Sequence, residues 1–150
     1  STLKLIPLIH NPMYFLLNYQ KQTYFEVKIM SKNLELPIFE IVGSPLCVAS
    51  GDGQKVFDRL AAALKEGRSV TLSFHNVTTL TSAFLNAAIG QLYGAFSEEQ
   101  IRSLLKVQDM QADDLALLKR VVETAKQYFK DPQKFDQAVQ EAQGDDSNGA

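Results

Sequence analysis

An α/β fold is the class this sequence predicts, on three observations. Two strong β signals, Ile38–Val42 and Val70–Phe74, stand among stretches with helical spacing. The stretch Gln54–Glu66 carries Val56, Phe57, Leu60 and Leu64 on one helical face and stops at Gly67, a natural C-terminal glycine. From Ala112 to Phe129 a second long helix places Leu115, Leu118, Val122, Ala125 and Phe129 on its apolar side. Strand and helix alternating in this order argue for α/β packing.

Taken along the chain, Tyr24–Ile29 alternates with β-favouring residues and predicts a first strand. Ile38–Val42 predicts a second, ended by Gly43-Ser44-Pro45, and Leu46–Ala49 a short third. Ser50-Gly51-Asp52-Gly53 reads as a turn that caps the helix beginning at Gln54. After the strand Val70–Phe74 and the turn His75-Asn76-Val77, a helix rich in small residues is expected from Ser82 to Tyr93. Ser97 and Gln100 have the spacing of a capping box, and Leu104–Val107 reads either as helix continuation or as strand. Asp113 and Asp114 suit the first turn of the last long helix, and Lys126 and Lys130 its end. Asp131-Pro132 would open a final short helix to about Ala142.

The domain reading follows. Met30-Ser31-Lys32-Asn33 looks like a natural start, so residues 1–29 are either an N-terminal extension or edge strands. Residues 30–143 form the domain, and 144–150, with no apolar anchor, form a disordered tail. The aromatics Tyr14, Phe15, Tyr19, Tyr24 and Phe25 are assigned to core or edge-strand packing, with a partner-binding surface as the alternative.

Composition narrows the function. The 150 residues are 45% apolar and 21% charged with a net charge of −2, which lacks the basic excess of a typical nucleic-acid binder. One cysteine, Cys47, rules out an intramolecular disulfide and a thiolate-rich zinc site, and two histidines, His10 and His75, leave little material for a histidine-based metal centre or triad. The run Met13–Leu17 is too short for a secretory signal, and no stretch approaches the ~20 apolar residues of a membrane span. A cytoplasmic protein without cofactor, metal or membrane contact is the expectation. No nucleophile–base pair stands out, so the chain is read as non-enzymatic. His75 lacks an adjacent acidic partner and reads as a solvated loop residue; Cys47 reads as a buried thiol.

The hydroxyl cluster Thr78, Thr79, Thr81 and Ser82 lies between a strand and a helix start. One of these residues must cap the helix. The others are candidate phosphoacceptors, since a phosphate adds up to two negative charges and can weaken or create a protein contact.

The stretch Val70-Thr71-Leu72-Ser73-Phe74-His75-Asn76-Val77-Thr78-Thr79-Leu80-Thr81-Ser82-Ala83-Phe84-Leu85 resembles the STAS superfamily, which includes bacterial anti-sigma-factor antagonists. More closely it is similar to the STAS-like family of uncharacterised bacterial proteins DUF4325, over roughly Leu46 to Phe129. The resemblance implies a small mixed β-sheet with helices packed mainly on one face. It aligns Ser82 with the antagonists' phosphoacceptor serine, Thr81 with their Asp and Phe84 with their Gly. Ser82, then Thr81, are thereby the candidate phosphoacceptors. The resemblance further implies a regulatory module that binds a protein partner, a histidine-kinase-like ATPase of the anti-sigma type. Contact would run through Gly51, Asp52, Gly53, His75, Asn76, Thr78 and Thr79. The alternatives are a module that binds a nucleotide or other anion, and a homodimeric structural domain joined through the N-terminal strands.

Overall fold

A computed structural model of the chain describes residues 12–133, with backbone alone at 24–32. Helix α1 (Pro12–Lys32) leads into strand β1 (Asn33–Pro37). A short helix α2 (Ile38–Val42) and a two-residue strand β2 (Leu46–Cys47) precede α3 (Ser50–Lys65). Strands β3 (Ser69–Ser73) and β4 (Thr79–Leu80) follow, then α4 (Ser82–Leu85), a π-helical turn (Asn86–Gly90) and α5 (Leu92–Ala95). The order closes with α6 (Glu98–Leu104), β5 (Leu105–Gln108) and α7 (Ala112–Lys130).

The fold is α/β. The main sheet has the order β1-β3-β5, and β2 and β4 form a separate pair. Where a mixed sheet was expected, every strand pair among the described residues is parallel. Leu36, Val70 and Leu72 of the main sheet are buried, with Leu34, Leu105 and Val107 packed against them. The alternate positions Asn33, Glu35, Lys106 and Gln108 are exposed. Side chains alternate across a strand, so the helices cover one face, as expected, and the opposite face is polar.

Three sequence readings are corrected. Tyr24–Ile29 is helical and belongs to α1. Six alternating residues cannot fix a period, and no Gly or Pro interrupts the chain between Pro12, in the first turn where proline is tolerated, and Asn33. The first strand comes later, at Asn33–Pro37, on an edge of the sheet, where the missing proline N–H costs no ladder bond. Ile38–Val42 is not a strand but a helical turn. Ile38, Ile41 and Val42 then meet the core at i, i+3, i+4 spacing, and Gly43 (φ 78°) closes the turn by donating its N–H to the Phe39 carbonyl at 2.8 Å. Finally, Gly51, Asp52 and Gly53 are not a loop. They form the first turn of α3, one turn earlier than the apolar spacing suggested.

Other elements stand where expected. The Ser97–Gln100 capping box is reciprocal, with Gln100 N donating to Ser97 Oγ at 3.2 Å and Ser97 N to Gln100 Oε1 at 3.0 Å. Leu105–Gln108 resolves the open choice in favour of strand. Asp131 ends α7; the short helix expected to follow lies, beyond residue 133, outside the described residues, as does the tail 144–150. In α1, Phe15 is 57% and Tyr19 69% exposed, and Tyr14 is exposed too, so these three are not core or edge-strand residues.

The helical layer is fastened at its far end by charge. Lys126 Nζ lies 2.8 Å from Glu98 Oε1 and 5.8 Å above the Tyr93 ring, and Arg102 Nη2 lies 3.1 Å from the same carboxylate. The hydrogen bond from Lys126 holds the Glu98 carboxyl below its ordinary value and, reciprocally, raises the Lys126 ammonium. The cluster joins the start of α6 to α7 and is a structural clasp.

Candidate functional site

Two short parallel strands build the site. Leu46 pairs with Thr79 and Cys47 with Leu80. Around them the chain is stitched on both sides: Thr78 N donates to Pro45 O at 2.9 Å and Thr81 N to Cys47 O at 3.2 Å. The Thr78 hydroxyl also donates to Pro45 O at 3.3 Å. The hydroxyl-rich segment is thereby held against the chain that enters α3. The structure so brings together the Gly51–Gly53 turn and Thr78–Ser82, 25 or more residues apart in sequence.

Contact is closest at Gly53, which is buried. A Cβ there would collide with the Phe84 carbonyl oxygen and stand 2.9 Å from Ala87 Cβ. Gly51 has open space around it, and Asp52 pairs with Lys55 at 3.3 Å. Gly53 is therefore a packing residue, not part of an exposed partner surface.

Of the hydroxyls that could cap the helix, Thr81 does so. Thr81 is the cap: its hydroxyl accepts from Phe84 N at 3.2 Å and donates to Val48 O at 2.6 Å. Ser82 is the first helical residue and is exposed, and its hydroxyl makes no hydrogen bond among the described residues. Thr81→Ala removes both bonds and is expected to cost about 1–2 kcal/mol, the upper part of the cap range. Ser82→Ala should stay within about 0.5 kcal/mol of the parent. Urea denaturation of the two variants side by side checks this assignment.

His75 and Asn76 are exposed, but at the other end of the turn, beside the carboxyl end of β3. His75 N donates to Ser73 Oγ at 3.3 Å, and that hydroxyl donates to Asp109 Oδ2 at 3.4 Å. Asn76 takes φ 64°, a left-handed conformation that asparagine tolerates, and Val77 N closes the turn on Phe74 O. Cys47 is fully buried, and burial, helped by the nearby Asp52 charge, pushes its thiol up to about 11. It stays protonated at neutral pH and is not a nucleophile.

A groove of about 400 Å³ opens next to Ser82. Ser82, Ala83 and Asn86 form one wall; Leu117, Arg120, Val121 and Thr124 of α7 form the other. Exposed Arg120 is the charged residue of that lining. Its signal was the spacing 117, 120, 124, which borders the buried stripe Leu118, Val121, Ala125.

Among the described residues no three His, Cys, Asp or Glu side chains converge as a metal site, and no helix is long and apolar enough to cross a membrane.

Residues 52–115 match the model of a family described as a STAS-like domain of unknown function, DUF4325. That span runs from the first turn of α3 through β5 into α7 and contains Thr78–Phe84. No curated protein matches the chain. No solved structure matches it either.

Proposed function

We propose that the chain is a non-enzymatic regulatory module that docks a protein partner through the surface around Thr78, Thr79, Gly51 and Ser82, with phosphorylation of Ser82 as its switch. The observation that carries this reading is the division of labour at the helix start. Thr81 does the capping, which leaves the Ser82 hydroxyl exposed and unengaged. A serine that capped the helix would be a structural residue; this one is spare. Ser82 lies within the stretch that matches the STAS-like family model, and its alignment by resemblance with the phosphoacceptor serine of anti-sigma-factor antagonists supports the same reading.

The surface suits a partner contact rather than catalysis. Exposed Thr78 and Thr79 precede Ser82 on a segment whose backbone is tied into the β2–β4 pair and to Pro45 and Cys47. Adding up to two negative charges at its centre would change which partner surface it complements. The partner class implied by the likeness is a histidine-kinase-like ATPase.

Capture from a lysate of the native host, with and without ATP, tests the reading. The parent protein and Ser82→Ala should both enrich an ATPase of that type. Ser82→Asp should lower its capture about tenfold, a change of about 1.4 kcal/mol in binding. Failure of the parent to enrich such an ATPase in either condition overturns the partner class. Equal capture by Ser82→Asp overturns the switch.

A further inference from the structure

We propose that Arg120 is the internal receptor for the phosphate on Ser82, so that modification ties the start of α4 to α7 across the groove. The inference rests on the reading of Ser82 as a phosphoacceptor. In that modification the Ser82 hydroxyl oxygen bonds to the γ-phosphorus of a nucleoside triphosphate. The bond from that phosphorus to the bridging oxygen breaks, nucleoside diphosphate leaves, and the hydroxyl proton is released. The product carries three acceptor oxygens.

Ser82 and Arg120 line the same groove from opposite walls, and no carboxylate lines it with them. Among the described residues no carboxylate lies within ion-pair distance of the Arg120 guanidinium, whereas Arg102 and Lys126 are both held by Glu98. Glu123, one turn along α7 from Arg120, lies 3.7 Å from Lys126 Nζ. Leu117 and Val121 give the groove an apolar flank, which lowers the local dielectric and strengthens a charge pair formed there. A guanidinium matches phosphate oxygens with two parallel N–H donors, a fit that lysine lacks. The Asn86 side chain, on the Ser82 wall, adds a neutral donor.

Phosphorylation would then do more than place charge on the docking surface. It would clamp α4 against α7 and remove the groove. Among the described residues no hydrogen bond or ion pair joins Ser82, Ala83 or Asn86 to Leu117, Arg120, Val121 or Thr124.

The test uses the full chain with phosphoserine installed at position 82 during synthesis, so neither a kinase nor a partner is needed. Phosphorus NMR follows the second ionisation of the phosphate, ordinarily near pH ~6. In the parent background it is expected to fall by at least about half a unit, since a nearby cation favours the dianion. Arg120→Gln should return it to the ordinary value, and Lys119→Gln, which removes a neighbouring cation outside the groove, should leave the fall in place. The thermal midpoint should rise on phosphorylation in the parent and not in Arg120→Gln. An unshifted ionisation in the parent, or a shift that survives Arg120→Gln, overturns the role of Arg120. Those outcomes leave the docking reading standing, because that reading fails only through partner capture.

Discussion

Replacing Phe84 with alanine is expected to lower the stability of the fold by about 4 kcal/mol, the largest effect of any single substitution considered for this protein. The side chain is fully buried and is the largest one so enclosed among the described residues. It stands three residues after the Thr81 cap, with its backbone N–H fixed by that cap and its carbonyl oxygen against Gly53. Both ends of the residue are pinned, so the neighbours cannot easily collapse into the space left by a lost ring. Cavity costs are highest in sites of that kind. Urea denaturation should show a much lower midpoint with the slope unchanged, the mark of lost stability rather than an altered unfolded state. The anti-sigma-factor antagonists that the stretch resembles carry glycine at this position. A loss below about 1 kcal/mol would mean that the ring is a passenger and that the glycine pattern would serve equally well here.

What was legible in the sequence follows the range of the signal. The capping box at Ser97–Gln100 and the stop at Gly67 are local devices, complete within one or two turns, and each stands where its residues placed it. The stripe on α7 is shifted: Leu118 and Ala125 are buried as expected, but Val121 joins them while Leu115 and Phe129 are exposed. Ile38–Val42 shows the limit of local reading. Its apolar residues satisfy two periods, and the outcome was decided by Gly43, which takes φ 78° and closes a turn, and by a core that accepts Ile38 from a helix. The candidate site was legible as far as the Thr78–Ser82 cluster. Which hydroxyl caps was not, because the decision rests on the Val48 carbonyl, 33 residues away, as partner for Thr81. The groove was beyond local reading for the same reason. Ser82 and Arg120 become neighbours only when α7 packs over the small residues between Ala83 and Gly90. Glycine at position 53 was read as a turn former; its true role appears only with the partner helix in place.

Gly53→Ala is therefore the second decisive substitution, with an expected loss of about 3 kcal/mol or more, at or beyond the upper end of the overpacking range. The usual expectation runs the other way. Alanine is the better helix former by about 1 kcal/mol, and Gly53 sits inside α3 at an ordinary helical conformation. Against that gain stand three contacts of the added methyl, two with backbone: the Phe84 carbonyl oxygen, and Ala88 N at 3.2 Å, with Ala87 Cβ at 2.9 Å. Backbone cannot swing aside as a side-chain tip can, so α3 and the α4 segment must separate. That separation would reach the docking surface, because the β2–β4 stitching and the Thr81 cap both depend on α3 holding its distance. Gly90→Ala is the control. Its methyl would meet mainly the end of the exposed Asn86 side chain, which can rotate away. Its stability should change by less than about 1 kcal/mol. Thermal unfolding of the two variants separates the causes: a gain or no loss at both positions would mean that helix propensity rules, while a large loss at Gly53 alone marks the close approach of α3 to the α4 segment.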